Sequence, residues 1–114
     1  MSELKGKIDF TLFISANNAN PNGDPLNGNR PRINMDGFGE ISDVCIKRKI
    51  RNRFQDLGQK IFVQSDDRCQ DEFKSLSERV NGTIKKYTGK DDYAKQACET
   101  WLDVRAFGQG FAFK

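Results

Sequence analysis

Ile8-Asp-Phe-Thr-Leu-Phe-Ile-Ser15, the turn-rich run from Asn17 to Gly39, and Ser42-Asp-Val-Cys-Ile-Lys-Arg-Lys-Ile-Arg-Asn-Arg-Phe-Gln-Asp-Leu-Gly58 follow one another and set the architecture open to this chain. In the first, Ile8, Phe10, Leu12 and Ile14 alternate with Asp9, Thr11, Phe13 and Ser15, the period of a half-buried strand. Phe13 falls on the polar face, where it serves either local packing or, on a sheet that binds single-stranded RNA, base stacking. The second segment carries all three prolines and four glycines among its asparagines. Asn and Gly tolerate positive φ and Pro fixes φ near −65°, so the spacing predicts a string of turns, a loop insertion over 17–41. In the third, Ser42 is placed to cap a helix with Asp43 in its first turn. Ile46, Ile50, Phe54 and Leu57 share one face of it, and Gly58 ends it.

The basic residues are concentrated in this part of the chain. Between Arg30 and Arg53 lie seven cations against three carboxylates, a larger surplus than the net +3 of the whole chain. Lys47, Arg48, Lys49, Arg51 and Arg53 occur without interleaved carboxylates, whereas a solvated helix face ordinarily alternates sign to form i,i+4 pairs. Either this is a charged flank facing water, or it is a surface for a polyanion, whose binding relieves the repulsion and releases counterions.

At 114 residues the chain suits one domain, and at 36 % hydrophobic residues its core is thin, with nine Phe in partial compensation. Lys60-Ile-Phe-Val-Gln64 reads as a second strand. Ser65 is placed to cap a helix with Cys69, Phe73, Leu76 and Val80 on one face, ending or kinking at Asn81-Gly82, and a weaker turn follows through Ile84 and Tyr87. A last helix opens at Asp91 or Asp92, turns Tyr93, Ala94, Ala97, Trp101 and Leu102 inward and ends near Asp103. Phe111 to Phe113 reads as a nascent strand.

There is no His, and Cys45, Cys69 and Cys98 are too widely spaced for a Cys-x-x-Cys pair, which excludes His-dependent triads and the usual zinc sites. Three separated cysteines suit a reducing compartment, so a cytoplasmic protein is expected, and no apolar run is long enough for a membrane span. Asn20, Asn22 and Asp24 alternate as in a calcium loop, but Pro25 stands where such a loop needs Gly and Pro31 where it needs its closing Glu. Asn20 to Pro25 is therefore either a rigid surface turn or a glycine-bearing loop that brings backbone N–H groups to phosphate beside Arg30 and Arg32. For hydrolytic chemistry the loop offers only Asp24 or Asp36 as a metal-positioning carboxylate.

Ala19-Asn-Pro-Asn-Gly-Asp-Pro25, Gly28-Asn-Arg-Pro-Arg-Ile33, Ser42-Asp-Val-Cys-Ile-Lys-Arg-Lys-Ile-Arg-Asn52 and Trp101-Leu-Asp-Val-Arg-Ala-Phe-Gly108, in this order, closely resemble a family of CRISPR-associated proteins. It is the crRNA-binding backbone ("Cas-seven") subunit of type I surveillance, or Cascade, complexes, most similar to subtype I-C. The resemblance covers residues 8 to 113. It implies an RRM-like (ferredoxin-like) core with finger and thumb insertions. Several copies would polymerise along one crRNA beside Cas-five-type and large subunits, holding its backbone without reading sequence, and the guide would pair with target DNA. The positions matching the loop and the basic helix, expected to line the RNA groove, are Asn22, Gly23, Asn29, Arg30, Arg32, Lys47, Arg48 and Arg51. Type I members are not nucleases, whereas type III relatives cut RNA with a loop aspartate.

Family members are more than twice as long as this chain, so the resemblance implies only the N-terminal portion of the fold. The resulting expectation is an α+β chain of one incomplete RRM-like domain over 1–114, with three main helices, truncated before the remaining strands and the thumb. No cofactor, metal or catalytic residue is expected. The expected function is non-catalytic binding of guide-RNA backbone within an RNA-guided antiviral complex. A second reading is an assembly protein that docks on full-length subunits, or on itself through an exposed sheet edge as a homodimer, without holding RNA. A third is a metal-dependent ribonuclease.

Overall fold

The computed structural model describes residues 4–111 and divides the chain into two compact units, Met1–Ile41 and Ser42–Lys114. The described residues form a two-stranded antiparallel sheet and four α-helices, an α+β composition.

In the first unit the expected strand over Ile8–Ser15 is absent. Alternation specifies which side chains share a face, but a strand also needs a neighbour for its N–H and C=O groups. Among the described residues nothing pairs with this segment, and Ile8, Phe10, Leu12 and Ile14 are half-exposed or more. Phe13 is 91 % exposed, so local packing does not account for it.

The turn-rich segment is more ordered than a string of turns. Gly23–Asp24 (β1) pairs antiparallel with Arg30–Pro31 (β2), Gly23 opposite Pro31 and Asp24 opposite Arg30. Between them Pro25–Asn27 forms one 3-10 turn, whose first free N–H, that of Leu26, donates to the Asp24 carboxylate at 3.0 Å. Gly28 and Asn29 then adopt left-handed φ of 61° and 58°, which lets the Asn29 N–H return to the Asp24 carbonyl at 2.8 Å. A second, smaller closure follows: Ile33 bridges Gly39, and the Asn34 side-chain oxygen accepts from the N–H groups of Asp36 and Phe38.

In the second unit, α1 spans Asp43–Asp56. As the sequence indicates, the Ser42 hydroxyl accepts from the Cys45 N–H at 3.2 Å and Gly58, at φ 77°, ends the helix. Leu57 does not join the apolar face, because it is already the C-terminal cap and stands exposed.

Lys60–Gln64 is not a strand. At Phe62 and Val63 its backbone groups are bonded, but by charged side chains from three helices instead of a neighbouring strand. The Asp103 carboxylate accepts from the N–H of Phe62 at 2.6 Å and of Val63 at 3.0 Å. Arg79 donates to the Phe62 carbonyl at 3.0 Å and Arg48 to the Val63 carbonyl at 2.6 Å. Held in this way, Ile61 and Phe62 are almost fully buried, and Phe62 packs on Trp101 with ring centroids 4.8 Å apart. Val80, Ile84, Tyr93, Ala97 and Val104 complete the core. Burial raises the ionisation range of the Tyr93 hydroxyl.

The helix expected from Ser65 begins only at Leu76: Asp66–Arg68 is a single 3-10 turn, and α2 spans Leu76–Thr83. Its cap is Ser75, whose hydroxyl accepts from the Glu78 N–H at 3.1 Å, while the Glu78 carboxylate accepts from the N–H of Lys74, the residue before the cap, at 2.9 Å, a relative of the capping box. The intervening segment is diverted by Asp71, which accepts from Arg79 Nε at 2.6 Å and from its terminal nitrogen at 2.9 Å. Gly82 lies inside α2, and a Cβ there would collide with the Phe73 ring, so this glycine serves close packing and does not end the helix. No helical turn follows through Tyr87.

The last expected helix is two. α3 spans Lys90–Thr100, Trp101 is extended at φ −120° and ψ 121°, and α4 spans Leu102–Phe107. The break turns Trp101 into the core and sets Asp103 in the first turn of α4, at 1 % exposure. The expected strand at Phe111–Phe113 lies largely outside the described residues.

Asp103→Ala would strand two backbone N–H groups and the Arg51 guanidinium together. Breaking a buried charge pair from one side costs about 3–5 kcal/mol, a large part of the ~5–15 kcal/mol that holds an ordinary domain. Urea denaturation followed by far-UV circular dichroism is expected to show the cooperative transition weakened to that extent or lost.

Candidate nucleic-acid interface

The eight positions singled out from the sequence fall into two sets, one in each unit. In the ribbon, the Asn22 side chain donates to the Gly23 carbonyl at 3.1 Å, and the Asn22 carbonyl accepts from the Arg32 N–H at 2.8 Å. Gly23 admits the Asn29 carboxamide, which any Cβ at this position would strike. The Asn29 carbonyl in turn accepts from the Asn20 side chain at 2.9 Å. Asp24 is occupied as the cap of the 3-10 turn. Arg32 is paired with Glu40 at 2.9 Å, whose hydrogen bond and charge strengthen the guanidinium's hold on its proton. Arg30 is exposed and forms no ion pair among the described residues. The ribbon is thus internally braced, and Arg30 is its uncommitted cation.

On α1 the cations are more engaged than their spacing implies. Lys47 meets Asp43 one turn earlier at 3.4 Å in an exposed pair, a kind worth about 0.3–0.5 kcal/mol. Arg48 donates to the Val63 carbonyl and to the Asn52 side chain at 3.1 Å, and desolvation draws its pKa down from the ordinary value, with the Arg51 charge adding to the effect. Arg51 donates from Nε to Asp103 at 3.0 Å and lies over the Phe107 ring, 5.1 Å from its centroid. Lys47 approaches the same ring at 5.8 Å. The missing carboxylates are therefore present: Asp43 lies on the helix itself, and Asp103 comes from 52 residues away.

Arg48 and Arg51 thus bind the fold as well as presenting charge. A guanidinium has five N–H donors, so each keeps donors beyond those it commits here. Lys49, at 3.2 Å from the Cys45 sulfur, and Arg53 are exposed on the other flank.

Sequence reasoning missed the two acidic residues that organise this unit. Asp103 resembled the end of a helix, and no role was read for Asp71. The signal for Asp103 was its place in the Trp101–Gly108 motif, two residues after the tryptophan; for Asp71, whose partner Arg79 lies eight residues on, the sequence held none.

Residues 6–114 match the family model of CRISPR-associated protein Cas7. This chain belongs to the Cas7 family. A curated relative from Haloferax volcanii, itself described as CRISPR-associated protein Cas7, is 35 % identical over 108 residues, a region that takes in 90 % of this chain and 32 % of the relative. The chain therefore spans about a third of the length of that Cas7 protein. No helix among the described residues is long and apolar enough to cross a membrane.

The geometry separates the cations of this Cas7 chain by role. Arg48→Ala leaves the Val63 carbonyl without its donor, at a cost of about 1–3 kcal/mol, whereas Lys47→Ala removes only an exposed pair, at a cost below about 1 kcal/mol. Chemical denaturation of the two variants checks this order. A second expectation concerns acid. Arg79 holds the Asp71 carboxyl below its ordinary range, chiefly through their hydrogen bonds. The pair's stabilisation is therefore complete above the unfolded carboxylate pKa of about 3.9 and is lost as pH falls through the lowered folded value. Asp71→Asn is expected to flatten that part of the acid-unfolding curve while lowering stability at neutral pH.

Proposed function

We propose that this chain holds the ribose-phosphate backbone of a guide RNA without cutting it, as the N-terminal portion of a Cas7 backbone subunit in an RNA-guided antiviral complex. The observation that carries this reading is the family match over residues 6–114, which includes both the braced ribbon and the basic helix. Chemically, the ribbon offers amides and Arg30 on a scaffold tied by its own hydrogen bonds, which lowers the entropy lost on binding. Asn22, Gly23, Asn29, Arg30 and Arg32 of the ribbon and Lys47, Arg48 and Arg51 of α1 are assigned to the RNA. Phosphate contacts of this kind fix the path of a strand and leave sequence readout to base pairing.

In this reading residues 1–114 form one incomplete RRM-like domain, with 17–41 as its loop insertion. The unpaired Ile8–Ser15 segment is the strand that returning strands would cover in a longer chain. The assembly is Cascade-like and of subtype I-C type. It comprises further backbone copies, a Cas-five-type subunit and a large subunit, with target DNA reached through the guide and the cytoplasm as the compartment. The half-exposed apolar side chains of 8–14 are also the edge through which two copies would pair as a homodimer.

Fluorescence anisotropy with labelled single-stranded RNA across a salt series tests the RNA assignment. Binding with little sequence preference and a steep salt dependence is expected. Arg30→Ala combined with Lys47→Ala, which leaves the buried pairs intact, should reduce the slope of log K against log salt by about 1 per residue. Absence of RNA binding at low salt, or an unchanged slope in the double variant, would overturn the assignment.

A further inference from the structure

The link between α2 and α3 and the first residue of α3, Lys85-Lys-Tyr-Thr-Gly-Lys90, took no part in the reading above. Lys85, Lys86 and Lys90 are exposed and form no ion pair among the described residues. The link is not slack. Gln96 donates to the Lys86 carbonyl at 2.9 Å, and the Thr88 N–H donates to the Asp92 carboxylate at 2.9 Å, which turns that acid toward the backbone. Between the lysines Tyr87 is 48 % exposed, and its ring meets that of buried Tyr93 in a T-shaped contact at 4.9 Å and 82°. Tyr93 in turn packs on the partly buried Phe111 at 5.3 Å, and Phe111 on buried Phe62 at 5.4 Å. Tyr87 is therefore the solvent end of a train of packed rings that fixes its orientation.

Tyr87 and Tyr93 also help to wall a cavity of about 590 Å³, with Asn81 and Gln109 contributing amides and Phe111 a further ring. That volume falls within the roughly 300–1,000 Å³ of ordinary small-molecule pockets. An aromatic ring of fixed orientation, carboxamides that donate to Ser77 and Gly110 and keep acceptor oxygens, and unpaired lysines beside the ring in sequence suit one ligand chemistry. It is a nucleobase carried on an anionic strand, the base stacking on the ring while the lysines meet its phosphates.

We infer that Tyr87, with Lys85 and Lys86, forms a stacking site for a base of a single-stranded nucleic acid, built from residues outside the ribbon and outside α1. The inference rests on the RNA-binding reading and adds a base contact to its backbone contacts. A purely apolar protein segment would leave the three lysine charges unanswered, so the nucleic acid is the occupant favoured.

The test uses the full chain with a hexameric single-stranded RNA carrying a central 2-aminopurine, whose emission is quenched on stacking, and with the DNA of the same sequence. Binding is followed in parallel by anisotropy. Quenching is expected with the parent and with Tyr87→Phe, which keeps the ring and its contact with Tyr93. Tyr87→Ala should lose the quenching and weaken binding on the order of tenfold. Tighter binding of the RNA would assign the site to the guide, and equal or tighter binding of the DNA to a DNA strand; both support a stacking site. Binding without quenching overturns the site and leaves the backbone reading standing. Absence of binding to either strand overturns both. Unaltered RNA affinity in Tyr87→Ala, together with a change of mass in light scattering, would make this a protein-docking surface and also overturn the inference.

Discussion

The Asp103 carboxylate is the point on which the second unit depends. It is buried at the start of α4 and accepts from two consecutive backbone N–H groups, those of Phe62 and Val63, while Arg51 of α1 balances its charge. An ionised carboxylate out of water is costly unless paired and hydrogen-bonded, and here both conditions are met. The arrangement ties the basic helix and the Lys60–Gln64 segment that closely follows it to the helix after Trp101, 40 or more residues further on. Two further guanidiniums, Arg79 and Arg48, close the carbonyl side of the same segment. A sequence that looks like a strand is thereby held as an irregular connection, with the N–H and C=O groups of Phe62 and Val63 bonded to charged side chains.

Local signals were legible where the deciding interaction was local. Ser42 capping α1, Gly58 ending it and the turn chemistry of Asn17–Gly39 involve residues within a few positions of one another, so their spacing carries the information. The two strands were misread for a common reason. Alternation in Ile8–Ser15 and β-branched and aromatic content in Lys60–Gln64 describe side chains, whereas a strand is defined by where its backbone bonds go. In the first case no described residue pairs with it, and in the second a carboxylate 40 and 41 residues away takes its amides. The helix expected from Ser65 started late because Asp71 is captured by Arg79, a pairing that periodicity cannot show.

The candidate site was legible in outline and not in its division of labour. The cations of α1 were visible as a cluster, but their partners were not, because Asp103 lies far along the chain. Arg48 and Arg51 act within the fold, and Arg30 and Lys47 are less committed. The motifs that led to the family are those whose residues brace the ribbon and the α1–α4 contact, so structure and family likeness draw on the same positions.

The most direct measurement of this account is amide hydrogen exchange at Phe62 and Val63, read residue by residue by NMR in the full chain. Donated to a buried carboxylate, both amides should exchange only as slowly as the second unit unfolds, matching the core amides of α3. Exchange at the rates of an open loop, with α3 still protected, would mean that Asp103 does not hold this segment and would contradict the account.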